Sequence, residues 1–584
     1  MSPQLTPTPR RRLRLPVLVA AALALLGLAG ASLAQAKPHR AKPPRATTTA
    51  KIVNFERGAP RPTGFPYGAQ VVRLDEDGNA IDAKADSIAY FEGSYWLHGE
   101  AFGCRYMFFP RPGFCGFRVY QSDDLVHWRS RGTILDPRTS TFARETCAGA
   151  TGCWGPNVVY NERTDKYVLW FYRAIGAPVD PPLVVMTGDS PIGPWGNPTI
   201  PDIPGGFAQD VFIDDDGSAY LSWGGPGSGL NVQRLNRSYT DVVGEPTAVT
   251  RPGGSIVEPR CSPPGGFFGP DMQNQTPAAL AAWKRCGITE SPSIVRNGNR
   301  YYMTFSDPIC AFCLGTETSY FVARSPLGPW RGRGGTPSYD PANPGVFDAY
   351  SLSERTCGGQ PFHIADLPTT TGDRVHVFAA VLWTNSRNGG SANHYWEPLR
   401  FRDGLMRPLR CGNVEVPLAR AVPAGEAPPR AINLAGVADG STLTQTMKAP
   451  ANGRIRSLSL PLYQRTNPTR PFADEGLVTE PLTVTLTGPR GSATKTFAPE
   501  AVSWSPTRVR LQVDVPVREG DRLRLTLSSA TPLGRYATLF ENVDAYPDGR
   551  ASGTGDAASL VGPRSDLLFR AVLRTAGGRI AIGG

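Results

Sequence analysis

Acidic and amide side chains recur at the starts of apolar segments. Asp82 and Asp86 open IDAKADSIAYFEGSYWLHGE, Asp210 opens AQDVFIDDDGSAYLSWG, and Glu290 opens ITESPSIVRNGNRYYMTFSD. Asn157 lies in GPNVVYNERTDKYVLWFY, after Trp154, and Gln360 and His363 lie in CGGQPFHIADLPTTTGDRVHVFAAVLW. Two carboxyl groups in different surroundings can divide acid and base work, because burial keeps one protonated while polar or cationic neighbours keep the other ionised. Amide and imidazole groups can orient water or a hydroxyl-rich ligand. The CAFC stretch lacks the βαβ context of a redox pair, and no second CxxC or paired His follows it to bind zinc. The chemistry therefore depends on bringing distant strand entries into one pocket.

A repeat supplies the means. Five times between residues 81 and 411 a polar entry leads into an apolar strand, a tight turn and an aromatic-rich strand. Two of the following segments end in SPxGPW corners, at Trp195 and Trp330. Such copies read as the blades of a five-bladed β-propeller, whose innermost strands line a central channel. The polar entries then converge at one end of that channel. Asp214, Asp215 and Asp216 fall in a turn sequence and are expected to build the turn. Ten of the eleven tryptophans lie between Trp96 and Trp396. Aromatic faces suit sugar rings, although most of these residues are expected to pack between blades.

At 584 residues the chain exceeds a single core. Residues 1–36 read as a signal peptide: a basic start at Arg10, Arg11, Arg12 and Arg14, an apolar run, and Ala34-Gln35-Ala36 for cleavage. Of the formal charge of +11, this segment contributes +4 and residues 37–51 another +5, leaving +2 for residues 52–584. Residues 37–64 accordingly read as a basic, Pro/Thr-rich disordered arm, 65–420 as the propeller, and 421–430 (AVPAGEAPPR) as a linker. Residues 431–584 alternate like the strands of a β-sandwich accessory domain. The fold expected is thus all-β, a five-bladed propeller followed by a C-terminal sandwich. Nothing resembles a nucleic-acid module. An even count of ten cysteines in an exported chain implies disulfides. Proximity pairs Cys104 with Cys115, Cys147 with Cys153, Cys261 with Cys286, Cys310 with Cys313, and Cys357 with Cys411.

Residues 65–412 resemble glycoside hydrolase family 43 and its five-bladed relatives. The resemblance is carried by DDDGSAYL (214–221), the ESP entry at Glu290, the GGQP entry, the two SPxGPW corners and DEDGNAIDA (75–83). It implies an extracellular enzyme that inverts a glycosidic bond in arabinan, galactan or xylan-type glycans. In that chemistry one carboxylic acid protonates the leaving oxygen while a second carboxylate, about 6.5–9.5 Å away, activates water. By this resemblance Glu290 is the acid, Asp86 the base and Asp210 the third carboxylate. Asp82, Asn157, Trp154, Gln360 and His363 contact substrate, Gln360 at a position that in some galactan-active relatives holds water. Related chains carry the first-blade acid where Ala85 stands, and the third where Ala208 stands. Asp86 can face the channel only if the entry bulges or the register slips. The alternative is a non-catalytic glycan-binding protein on a degenerate propeller, and fructoside chemistry by retention is a third reading. No cofactor is implied, though a structural calcium in the channel is compatible with the pattern. The partner is a polysaccharide or oligosaccharide, with neither nucleic acid nor membrane involved after signal cleavage, and the chain is expected to be monomeric.

Overall fold

The structure, a computed structural model, describes residues 46–583 apart from 57–66, 105–112, 148–151, 174–182, 204, 226, 253–260, 262–285, 311–312, 340–347, 384–387, 434–435, 467–475, 556–557 and 559–560. The expected signal peptide and the first residues of the arm lie outside the described residues. Four antiparallel four-stranded sheets and one three-stranded sheet follow in chain order. Their first strands are Lys84–Phe91, Cys153–Asn161, Asp210–Ile213, Glu290–Asn297 and Gln360–Pro368, and these define blades I to V. Local chemistry drives each hairpin. In blade I, Glu92 and Gly93 take φ of 50° and 77°, the all-positive geometry of a two-residue turn that matches strand twist. Asp214 to Ser218 form the turn of blade III, where the Asp214 carboxylate accepts from Arg296 (2.5 Å) and Tyr301 (2.6 Å).

The innermost strands neighbour one another around the axis, and a closed circuit of hydrogen bonds ties them together. Ser87 of blade I donates to the Pro156 carbonyl of blade II (2.8 Å), and Asn157 of blade II donates to Asp210 of blade III (2.6 Å). Ser293 of blade IV donates to Asp210 and accepts from the Ile364 amide of blade V (3.0 Å). His363 of blade V returns to the Ile88 carbonyl of blade I (3.3 Å). Five blades thus close a ring through side chains that backbone pairing alone cannot link.

Composition misplaces the arm. Residues Ala46–Ile52 pair with Val414–Pro423, and Phe55–Glu56 with Ala69–Gln70. Ala50 and Ile52 are buried with Val416, Leu418 and Trp396, so apolar burial overrides the polar composition around them. The expected linker is likewise pinned. Ala421–Pro423 complete the strand, the Glu426 carbonyl meets the His127 ring (2.7 Å), and the Arg430 amide donates to Glu541 (3.0 Å).

Residues 432–582 form a seven-stranded and a five-stranded sheet packed through one apolar core. The central strand, Gly453–Arg465, buries Leu458, Leu460 and Leu462 inward and turns Ser457 and Ser459 outward. The sandwich and propeller share a further apolar cluster in which Val72, Leu74 and Ala80 meet Tyr463, Ala537 and Leu539. Five disulfides join the pairs expected from proximity. No helix among the described residues is long and apolar enough to cross a membrane.

Candidate active site

The entries of blades I, II and IV carry the same irregularity. Pairing slips by one residue between Lys84 and Ser87, between Trp154 and Asn157, and between Glu290 and Ser293. In each bulge the second residue takes positive φ: Ala85 (48°), Gly155 (59°) and Ser291 (55°). Ala208 of blade III (45°) stands at the matching place, two residues before the paired Asp210. Ala85 is thus the corner of a bulge, and Ala208 takes the same left-handed backbone just before the blade III strand begins. Left-handed backbone costs a non-glycine residue about 1 kcal/mol or more, so the three non-glycine positions, Ala85, Ala208 and Ser291, mark a constrained rim. The bulge that Asp86 needs in order to face the axis is present.

Glu290 begins blade IV and is half-buried. Its Oε1 accepts from the Cys310 amide (3.0 Å) and from Gln360 Nε2 (2.6 Å). Gln360 is itself oriented, because Trp383 Nε1 donates to its Oε1 (2.8 Å) and leaves only Nε2 to face Glu290. Burial pushes the Glu290 carboxyl up to about 8, against those two donors, which favour the charged form. At neutral pH the group holds its proton, and with Oε1 engaged by two N–H donors that proton sits on Oε2. This is the state a general acid requires. The Cys310–Cys313 disulfide closes the loop that presents the Cys310 amide.

Asp86 lies deeper and is 1% exposed, and neither carboxylate oxygen makes a hydrogen bond of normal geometry, its own amide and the Trp396 indole lying near enough only for a weak interaction. It lines an axial cavity of about 20 Å³ together with Asn157, Gln209, Asp210, Ser291 and His363. That is room for about one water molecule. Burial raises the carboxyl to about 6, opposed by its own backbone amide, by the charges of His363 and Lys84, and by Trp396. Lys84 is equally buried, donates to the Ile81 carbonyl (2.6 Å), and is lowered to about 8 by that burial. Arg73 stacks over Trp396 at 4.1 Å. The axial cavity thus holds one carboxyl that burial raises to about 6, and the entry of blade IV holds a second that burial raises to about 8.

Asp210 is the hub of the axial ring. Besides Asn157 and Ser293 it accepts from its neighbour Val211 N (3.0 Å) and from His363 Nδ1 (3.0 Å). Both His363 nitrogens face acceptors, Asp210 and the Ile88 carbonyl, so the ring donates twice and is an imidazolium. Burial opposes that charge, yet Asp210 outweighs it and holds His363 above its usual range. Asp210→Asn should remove the counter-charge and set an NH₂ against donors. Thermal unfolding should show a loss of about 2–4 kcal/mol, and NMR titration should show His363 shifting downward.

The other expected residues separate by surroundings. Asp82 does not line the axial cavity; its carboxylate accepts from the amides of Phe102 (3.0 and 3.1 Å) and Gly103 (2.7 Å) and so fixes a loop. Trp154 is 3% exposed and packs edge-on against Phe102, so it belongs to the wall's core rather than its face. Trp383 and Phe102 carry no signal in a blade-by-blade reading. Trp383 acts two residues beyond Val381, the pairing partner of Gln360, and that hairpin register could have located it. Phe102 connects the site to the sandwich. It packs on Trp154 and Trp383, and the adjoining Gly103 carbonyl accepts from Trp504 N and Ser503 Oγ, both at 2.9 Å. Among the described residues no group of three or more His, Cys, Asp or Glu could hold a metal ion.

Comparison with known proteins gives part of the propeller a family context. Residues 96–345 match the model for glycosyl hydrolases family 43. An arabinoxylan arabinofuranohydrolase of Bacillus subtilis (strain 168) is 28% identical over 247 residues, 39% of this chain and 43% of that protein. Its namesake from Paenibacillus polymyxa is 31% identical over 162 residues, 23% of this chain and 25% of that protein. The chain thus spans less than half the length of these curated relatives. Among solved structures, the exo-β-1,3-galactanase of Phanerochaete chrysosporium with galactose is 18% identical, covers 81% of this chain and 99% of its own, and has a TM-score of 0.44. The exo-β-1,3-galactanase from Clostridium thermocellum is 15% identical, covers 88% and 98%, and has a TM-score of 0.43. In its propeller the chain is family 43-like.

Proposed function

We propose that this chain is a secreted glycoside hydrolase that cleaves arabinan, galactan or xylan-type bonds with inversion. The observation that carries the reading is Glu290: a half-buried carboxyl raised to about 8, with one oxygen clamped by Gln360 and Cys310 and the other free to protonate a leaving oxygen. Asp86 supplies the base, ionised above about 6. Gln360, held by Trp383, positions the acid and the incoming water. Asp210 and His363 set the geometry of the ring around them. The five disulfides suit an oxidising, extracellular compartment. The non-catalytic alternative rests on Ala85 and Ala208; against it stands the bulge at Ala85, which brings the next residue, Asp86, to the axial cavity.

A panel of arabino-, galacto- and xylo-configured oligosaccharides tests the proposal. One class should be hydrolysed, and proton NMR should show the first-formed sugar with inverted anomeric configuration. Retention of configuration would reject the single-displacement assignment of Glu290 as acid and Asp86 as base. Glycan binding without turnover on any class would return the chain to the non-catalytic reading.

A further inference from the structure

A groove of about 1180 Å³, with Glu290 not among its lining residues, lies between blade I and the sandwich. Its floor is the outward face of the seven-stranded sheet. Arg510 and Arg570 are both register partners of Ser459, one on each side, so two exposed guanidinium groups flank one serine across three strands. Strand spacing separates them by about 10 Å. Arg508 lies two residues along from Arg510 on the same face, and Arg579 rises from the next strand, Gly578–Ile582. Among the described residues none of these four arginines forms an ion pair.

Nearby carboxylates form no ion pair with the floor, although the Asp75 charge favours protonated Arg508. Asp75 turns into its own loop, accepting from the amides of Asp77 (3.1 Å) and Asn79 (2.8 Å). Glu76 is paired with Arg129 (3.3 Å). Asp77 and Glu426 stand exposed at the groove's edge. The result is a basic floor that runs across strands beneath a mildly acidic rim.

We infer that this groove binds a carboxylated polysaccharide, with Arg510 and Arg570 engaging its uronate groups on either side of Ser459, whose hydroxyl accepts from Arg508 Nη1 (3.3 Å) and donates to the Arg570 carbonyl (3.4 Å). Guanidinium groups recognise carboxylates through paired hydrogen bonds, and a row of them fits a ligand whose charges repeat along a chain. A single-stranded nucleic acid would need aromatic platforms, yet Trp128, the aromatic residue of this groove, is fully buried. The near-neutral balance of residues 52–584 argues against general polyanion capture, so the basic character here is local. The choice of a glycan as the polyanion rests on the hydrolase reading, but binding at this groove does not require turnover.

The experiment measures calorimetric binding of polygalacturonate oligosaccharides to Glu290→Gln protein, so that hydrolysis cannot intervene. Neutral galactan oligosaccharides and polyphosphate serve as comparison ligands. The uronate should bind, and Arg510→Ala/Arg570→Ala should weaken it roughly tenfold or more, while Arg510→Lys/Arg570→Lys retains part of the affinity. Both pairs are exposed, and melting curves should match the parent. Absence of uronate binding, equal binding of polyphosphate, or unchanged affinity in the alanine pair would each overturn the assignment. A chain that binds uronate yet hydrolyses nothing would remove the hydrolase reading and leave the groove standing.

Discussion

Glu290→Gln should lower kcat by about 10²–10⁴ on substrates with poor leaving groups. The loss should be much smaller on an aryl glycoside whose phenol leaves without protonation. Glutamine preserves the shape and can still accept at its Oε1 from Cys310 and Gln360, so the change isolates the proton. The same substitution separates chemistry from stability. The native carboxyl titrates near 8 and the unfolded one near 4.5, so between these values the folded chain holds a proton that the unfolded chain has released. Stability from the neutral acid is therefore complete below about 4.5 and is lost as pH rises through about 8. Glu290→Gln does not titrate, so it should unfold later than the parent at pH 8, by of order 1–2 kcal/mol, and about equally at pH 4.5. A variant that is both inactive and more stable at alkaline pH identifies a site held in place against its own folding preference. A variant as active as the parent would remove Glu290 from the mechanism.

What the sequence displays depends on how far each interaction reaches. Blade hairpins rest on neighbouring residues, so turn glycines and alternating apolar positions announce them. The short-range disulfides and the aspartates of the blade III turn are visible for the same reason. Glu290 is legible because Ser291 and Pro292 follow it and the family resemblance is local to that entry. Asp86 reads as turned away from the axis when its side-chain parity with Ala85 is counted through a regular strand. A bulge adds one residue, and with Ala85 at its corner the next residue, Asp86, reaches the axis. The circuit through Asn157, Asp210, Ser293 and His363 joins residues 53 to 153 positions apart, and no local pattern records such partners. Support from the sandwich reaches further still, since Ser503 contacts Gly103 across 400 residues. The strand at Ala46–Ile52 was hidden by its polar neighbours, and only its pairing with Val414–Pro423 reveals it.

The rate should follow a bell-shaped pH curve, with an acid limb near 6 from Asp86, an alkaline limb near 8 from Glu290, and a maximum at about 7. Asp86→Asn should remove the acid limb and reduce kcat by about 10² or more, because the asparagine cannot take the proton of the attacking water. The alkaline limb should stay, since Glu290 keeps its donors. Gln360→Ala should do the opposite. Losing the Nε2 donor to ionised Glu290 should move the alkaline limb upward, while the limb from Asp86 persists. Added azide gives a further reading, because a small anionic nucleophile needs no base and should restore turnover to Asp86→Asn with an azido sugar as product. Should Asp86→Asn keep both limbs and most of its rate while Gln360→Ala loses activity, water is activated at Gln360. Asp86 then serves only as the buried counter-charge to Lys84, Arg73 and His363.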